Sequence, residues 1–156
     1  MLNTIAAKAI CFYECLQPEF KNYNESVLKN AIILYDILKK NNFDIVSKGT
    51  DTNLMVIDLR KFGINGNIAA ELLDKVGLTC NKNSVLNDPE SPMITSGIRL
   101  SSSAGTTRGL GENEFRVIGE VISETLLDAA NDKLLESNIK KNNSKVIGIC
   151  KRFPIY

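Results

Sequence analysis

Apolar residues recur at helical spacing through the N-terminal part of the chain. Ile5, Ala9, Phe12, Tyr13 and Leu16 form one stripe, and Pro18 suits the first turn of a following helix, where its missing N–H does no harm. The spacing predicts two consecutive helices, or one broken at Gln17-Pro18. From Val27 to Lys40 the positions Val27, Leu28, Ala31, Ile32, Leu34, Tyr35 and Leu38 trace another helix face, stopped by Asn41-Asn42 with lysines in the last turn. Phe43 to Ser47 and Leu54 to Leu59 are short, apolar and partly β-branched, and the polar turn Lys48 to Asn53 between them predicts an antiparallel pair of strands. Ile68, Ala69, Leu72, Leu73 and Val76 make a third helical stripe, with Gly77 suited to the left-handed residue beyond its end.

The second half alternates in the same way. Leu78 to Cys80 and Gly97 to Leu100 are further strand candidates, and Asn81 to Thr95 reads as a long loop, rich in asparagine and proline and without periodicity. Phe115, Ile118, Val121, Ile122, Thr125, Leu126 and Ala129 predict a strong helix with Glu112 and Glu114 near its positive end. A last helix is expected around Val146, Ile147 and Cys150, and the run Lys140-Lys141-Asn142-Asn143 before it reads as a solvated linker. The pattern is that of one α/β unit, a layer of a few mainly antiparallel strands backed by helices.

Composition narrows the function classes. The 156 residues suit a single domain, since domains commonly hold about 100–150 residues around their own core. With 19 basic and 18 acidic residues the chain lacks the positive field of a nucleic-acid binder. No run approaches the ~20 apolar residues of a membrane span, and the opening Met1-Leu2-Asn3-Thr4 has no signal-like pattern. Cys11, Cys15, Cys80 and Cys150 have neither the density of a disulfide scaffold nor the spacing of a zinc knuckle. Cys11 and Cys15 would share one helix face, but a free cysteine is ordinarily a small buried hydrophobe, so no metal site is expected. A reducing cytoplasm fits this usage. The absence of histidine removes the commonest general base and metal ligand, and with it serine triads and most zinc chemistry.

The chemistry concentrates around Arg99. Its planar, permanently charged guanidinium offers a fork of donors that matches a carboxylate. It follows Ser96-Gly97-Ile98 and precedes Ser101-Ser102-Ser103, which puts it where a strand gives way to a loop, a common place for binding groups. The series Asn81-Lys82-Asn83, Asn87-Asp88-Pro89, Ser91-Pro92, Thr95-Ser96-Gly97-Ile98-Arg99 and Thr106-Thr107-Arg108-Gly109 resembles the C-terminal part of serine hydroxymethyltransferase, the pyridoxal-phosphate enzyme that moves a one-carbon unit between serine and tetrahydrofolate. Ile5-Ala6-Ala7-Lys8-Ala9, Leu16 to Tyr23, Asp44 to Ser47, Gly49-Thr50-Asp51, Leu54 to Arg60 and the terminal Arg152 to Tyr156 extend the likeness. It covers nearly the whole chain, yet about the C-terminal third of a usual family member.

That resemblance implies the C-terminal small domain of a fold-type I pyridoxal-phosphate-dependent transferase, with residues 1–24 as a linker helix region from the large domain and 25–156 as the small domain. It implies that Arg99 grips the carboxylate of serine or glycine. Asn83 would hydrogen-bond the folate pteridine ring, with Ser91, Pro92 and Met93 lining the same ligand, Met93 standing where the family has phenylalanine. After Arg99 the family usually reads GTPA, and Ser101-Ser102-Ser103-Ala104-Gly105 is expected to add backbone freedom there. Arg108 is read as a loop-ordering residue. The lysine that binds the cofactor, the histidine stacked on it, the aspartate at its pyridine nitrogen and the acidic group of folate chemistry all lie upstream in the family and have no counterpart in this chain. The segment itself therefore carries no catalytic residue and is expected to be inactive alone. Family members are at least dimeric. A separate polypeptide carrying the lysine half, or a binding-only remnant for folate or amino acid, are the alternative readings.

Overall fold

The computed structural model of the chain describes residues 1–155; Tyr156, the end of the C-terminal motif, lies outside them. The element order is α1 (Leu2–Cys15), α2 (Pro18–Lys40), β1 (Asp44–Ile45), β2 (Leu54–Asp58), α3 (Gly66–Lys75), β3 (Asn81–Asn83), β4 (Gly97–Ser101), α4 (Ser103–Thr107), α5 (Glu112–Ala130) and α6 (Glu136–Arg152). The strands form one antiparallel sheet in the order β1-β2-β4-β3. Alternation along the strands separates two faces. Met55 and Ile57 of β2 lie opposite Leu100 and Ile98 of β4, and all four are buried in a core shared with Leu34 and Leu38 of α2 and Leu126 of α5. The opposite face carries Val56 and Asp58 on β2, Arg99 on β4 and Asn81 and Asn83 on β3. The expected α/β layer, antiparallel strands backed by helices, is what the chain forms.

Local chemistry explains the ends of the elements. Pro18 stands at the start of α2, which then runs unbroken to Lys40 through residues 24 and 25. The α3 helix starts on Asn65, whose side chain accepts the Ile68 amide at 2.9 Å. It closes with Gly77 at φ 86°, the Leu78 amide donating to the Leu73 carbonyl and the Gly77 amide to that of Asp74 at 2.8 and 2.9 Å.

Several expectations change. Leu78 to Cys80 is not a strand, because this helix closure occupies Leu78; pairing starts at Asn81, inside the stretch read as loop. The first strand shrinks to Asp44–Ile45, since Ser47 and Lys48 turn into the left-handed region at φ 67° and 55°. Lys140 to Asn143 is not a linker. It lies within α6, with Lys140 paired to Glu136 at 3.7 Å and Lys141 to Glu124 at 3.9 Å, while Asn142 is buried and donates to Thr125 Oγ1 at 3.2 Å. The serine run does not loosen the chain after Arg99. Ser102 is buried and its hydroxyl donates to the Val27 carbonyl at 2.8 Å, Asn53 Nδ2 holds Ser103 Oγ at 2.8 Å, and a short helix follows at once. Cys11 and Cys15 are exposed, not buried, because α1 has no buried residue. No helix among the described residues is long and apolar enough to cross a membrane.

Arg108 has a defined structural task. Its Nε and Nη2 donate to the Phe153 carbonyl at 3.1 and 2.6 Å, closing the end of α6 against α4. Arg108→Ala is expected to lower the unfolding free energy by about 1–2 kcal/mol, the range for losing charged hydrogen bonds to a half-buried acceptor. Urea unfolding followed by circular dichroism measures it, and an unchanged midpoint would refute the assignment.

Candidate functional site

The middle of β4 presents Arg99 on the open face of the sheet, between Val56 of β2 and Asn81 of β3. It lies at the centre of the strand and not at a strand-to-loop junction. Its side chain is exposed. Among the described residues it pairs with no carboxylate, whereas Arg60 and Arg152 are each committed to one. An unpaired fork on an open face is free to receive an anionic ligand.

Asn83 shares that face, two residue pairs along the ladder, opposite Gly97. It is half-buried, and its Nδ2 donates to the carbonyl of Ser84 at 2.6 Å. The Oδ1 has no protein donor among the described residues and remains an acceptor. Ser91, Pro92 and Met93 lie elsewhere, in an exposed turn at the rim of the sheet beside the start of α3, with Met93 75% exposed. The structure therefore brings Arg99 and Asn83 onto one surface and sets the Ser91 to Met93 turn at its border.

That turn is tied down at many points. The Ser91 carbonyl accepts the Ile94 and Thr95 amides, both at 2.9 Å, and the first amides of α3, from Gly66 and Asn67, donate to the carbonyls of Thr95 and Ile94 at 2.9 and 3.1 Å. Lys82 donates to the Met93 carbonyl and reaches Asn67 Oδ1 at 3.4 Å. Thr95 is buried at φ 61°. A β-branched residue in that region is strained by about 1–3 kcal/mol and persists only where its surroundings over-determine it.

Asp88 holds the loop from inside. Its Oδ2 accepts the amides of Val85 and Ser96 at 3.1 and 2.9 Å, and its Oδ1 accepts the Glu90 amide at 3.0 Å and the Ser96 hydroxyl at 2.6 Å. The Ser96 hydroxyl first, with the amides of Glu90, Ser96 and Val85, holds this carboxyl well below the usual carboxylate range against the opposing effect of burial. Because the folded value is depressed, the ionised latch favours the folded loop above the unfolded value of about 4 and is lost only as pH falls through the lower folded one. The amides of Val85, Glu90 and Ser96 are thus expected to stay protected from exchange between neutrality and about pH 4, with protection falling only in stronger acid. Loss of protection already near neutrality would refute this. Beside it, Arg60 grips Asp58 through Nε at 3.0 Å and Nη2 at 2.6 Å and extends Nη1 to the Asn87 carbonyl at 3.4 Å. Hydrogen bonding from Arg60 lowers the Asp58 carboxyl despite its partial burial.

In the sequence Asp88 and Thr95 belong to the motif series around Arg99 without an individual role, and Gly66 is unmarked. The available signal was Asp88 itself, an aspartate before proline in a turn-rich stretch, where a carboxylate commonly collects nearby amides. Arg99 and Asn81 also border an open cleft of about 370 Å³, lined further by Leu78, Cys80, Phe115 and Ile118. Burial pushes the Cys80 thiol up to about 11, which favours the thiol over the nucleophilic thiolate at neutral pH.

An unpaired arginine, an edge-strand asparagine and a braced turn are what this face offers, and they fall on the segments whose order resembles one enzyme family. The family model described as serine hydroxymethyltransferase matches residues 1–122. The chain belongs to the serine hydroxymethyltransferase family. It is 48% identical over 154 residues, 99% of its length, to a serine hydroxymethyltransferase of Prochlorococcus marinus strain MIT 9301, of which it covers 36%. To that of Pelagibacter ubique strain HTCC1062 it is 47% identical over 157 residues, covering 36% of that relative. The chain thus spans about a third of the curated relatives it matches, their C-terminal portion. Residues 123–156, the end of α5 and all of α6, lie beyond the family model's match yet within the alignments to these relatives.

Proposed function

We propose that this chain is the amino-acid- and folate-binding portion of a cytoplasmic, pyridoxal-phosphate-dependent glycine hydroxymethyltransferase, which interconverts serine plus tetrahydrofolate with glycine plus methylenetetrahydrofolate. The observation that carries the reading is the unpaired Arg99 guanidinium on the open face of the sheet, with Asn83 two pairs along the same ladder. Arg99 receives the carboxylate of serine or glycine and fixes its orientation. Asn83 offers an amide, donor and acceptor together, to the mixed edge of a pterin, and the turn Ser91-Pro92-Met93 borders it with exposed apolar surface.

The residues present do not form a holder for pyridoxal phosphate. No lysine among the described residues is buried, as a lysine poised for imine formation would be, and Lys82, close to Asn83 in β3, is engaged by Met93 and Asn67. No histidine exists to stack on the ring. The remaining portion of the family enzyme, on the same or a separate polypeptide and in a homodimer or larger assembly, supplies those groups. The exposed apolar side chains of α1, with Leu2 82% exposed, are consistent with such a partner surface. The ordered serine run after Arg99 gives no support to a binding-only remnant.

The test is spectroscopic. The purified chain mixed with pyridoxal phosphate and glycine is expected to give the same visible spectrum as those two compounds without protein, a change beyond that reference arising only when the upstream portion of a relative is added. Such a change with this chain alone would overturn the incomplete-site reading.

A further inference from the structure

Asp88 touches neither Arg99 nor Asn83, yet it sits between the segments that carry them. Through the Val85 and Glu90 amides it gathers the loop that joins Asn83 to Ser91, and through the amide and hydroxyl of Ser96 it gathers the segment that leads into β4. Ser96 is itself built into the fold from the other side, its carbonyl accepting the Leu59 amide at 3.0 Å where β2 ends. The neighbouring carbonyls of Thr95 and Ile94 accept the first amides of α3. One carboxylate therefore fastens a loop that has no regular structure of its own to the framework of sheet and helix.

We infer that Asp88 is a positioning residue that locks the Asn83 to Met93 loop to the strand of Arg99, so that the surfaces offered to a pterin and to an amino-acid carboxylate are held in one fixed relation. This rests on the function proposed above. Four donors converging on one carboxylate satisfy both its oxygens, so no other side-chain type serves equally. Alanine removes all four bonds. Asparagine keeps an oxygen for the amides of Val85 and Ser96, and its Nδ2 can donate to the Ser96 hydroxyl, which turns from donor to acceptor; only the Glu90 amide is left without a partner.

The test uses hydrogen exchange by NMR on the full chain. In Asp88→Ala the amides of Val85, Glu90, Ser96 and Leu59 are expected to exchange about tenfold faster or more, the effect of losing charged hydrogen bonds, while Leu126 in α5 is unchanged. In Asp88→Asn only Glu90 should accelerate. Acceleration confined to Val85 and Glu90 in the alanine variant would overturn the lock, and so would uniform acceleration that includes Leu126. With the upstream portion of a relative added, Asp88→Ala should weaken both glycine and tetrahydrofolate by about tenfold or more, with Asp88→Asn restoring both. A loss restricted to tetrahydrofolate also overturns the inference. If the unsubstituted protein binds neither ligand, the proposed function fails, while the exchange pattern still decides the lock.

Discussion

Gly66→Ala is expected to lower the unfolding free energy by about 3 kcal/mol or more, beyond the usual cost of overpacking. A Cβ at this position would fall on Thr95 Oγ1 and on the carbonyl of Gly97, with the Ile94 carbonyl 3.3 Å away. Two of those are backbone atoms. They cannot move aside, because the Gly66 and Asn67 amides bond the Thr95 and Ile94 carbonyls and Thr95 is already in a strained conformation. The same crowding holds at Gly97, where a Cβ would lie 2.5 Å from the Ile57 carbonyl and 2.8 Å from Val85 Cγ1. Gly49 is the control, for nothing lies within 4 Å of its Cβ position. Urea unfolding of the three alanine variants decides the matter, and equal stability for Gly66→Ala and Gly49→Ala would refute the close approach of α3 to the Thr95 to Gly97 segment.

Arg99→Lys is expected to weaken glycine binding about 10- to 100-fold in the assembled enzyme, the range for a charge-assisted pair that loses its second hydrogen bond and its geometry. An ammonium keeps the charge but cannot reproduce the planar fork. Folding should be indifferent. The side chain is exposed and makes no ion pair among the described residues, so the unfolding free energy of the variant should stay within about 0.5 kcal/mol of the parent. That split separates a ligand-gripping arginine from a structural one, and unaltered glycine affinity in Arg99→Lys would remove the carboxylate role. Asn83 and the lock at Asp88 predict a different signature, since both bear on tetrahydrofolate.

The elements with local periodicity were legible before any coordinates. Most of the stripe from Val27 to Leu38, though not the exposed Leu28 and Ile32, and most of that from Phe115 to Ala129 face the core from α2 and α5, because burial on one side of a helix imposes the spacing directly. The antiparallel neighbours β1 and β2 followed from a polar turn between two apolar runs. Asn81 to Asn83 was not legible as a strand. Its three polar residues show no alternation, and its pairing comes from β4, far along the chain. The first half of α6 was missed for a related reason, its first turns being charged and polar outside with only Ile139 and Asn142 turned inward.

By itself the sequence determined the family, the identity of the forked cation at Arg99 and of the amide at Asn83, and the absence of any histidine, because residue type and order survive without coordinates. Only the tertiary structure decided that Arg99 and Asn83 face the same side of one sheet, that Ser91 to Met93 stands at its rim, and that Asp88 fastens these parts together. Those relations depend on strand register and on side chains meeting backbone amides several residues away, contacts that close only when the α3 start, β3 and β4 are packed as one.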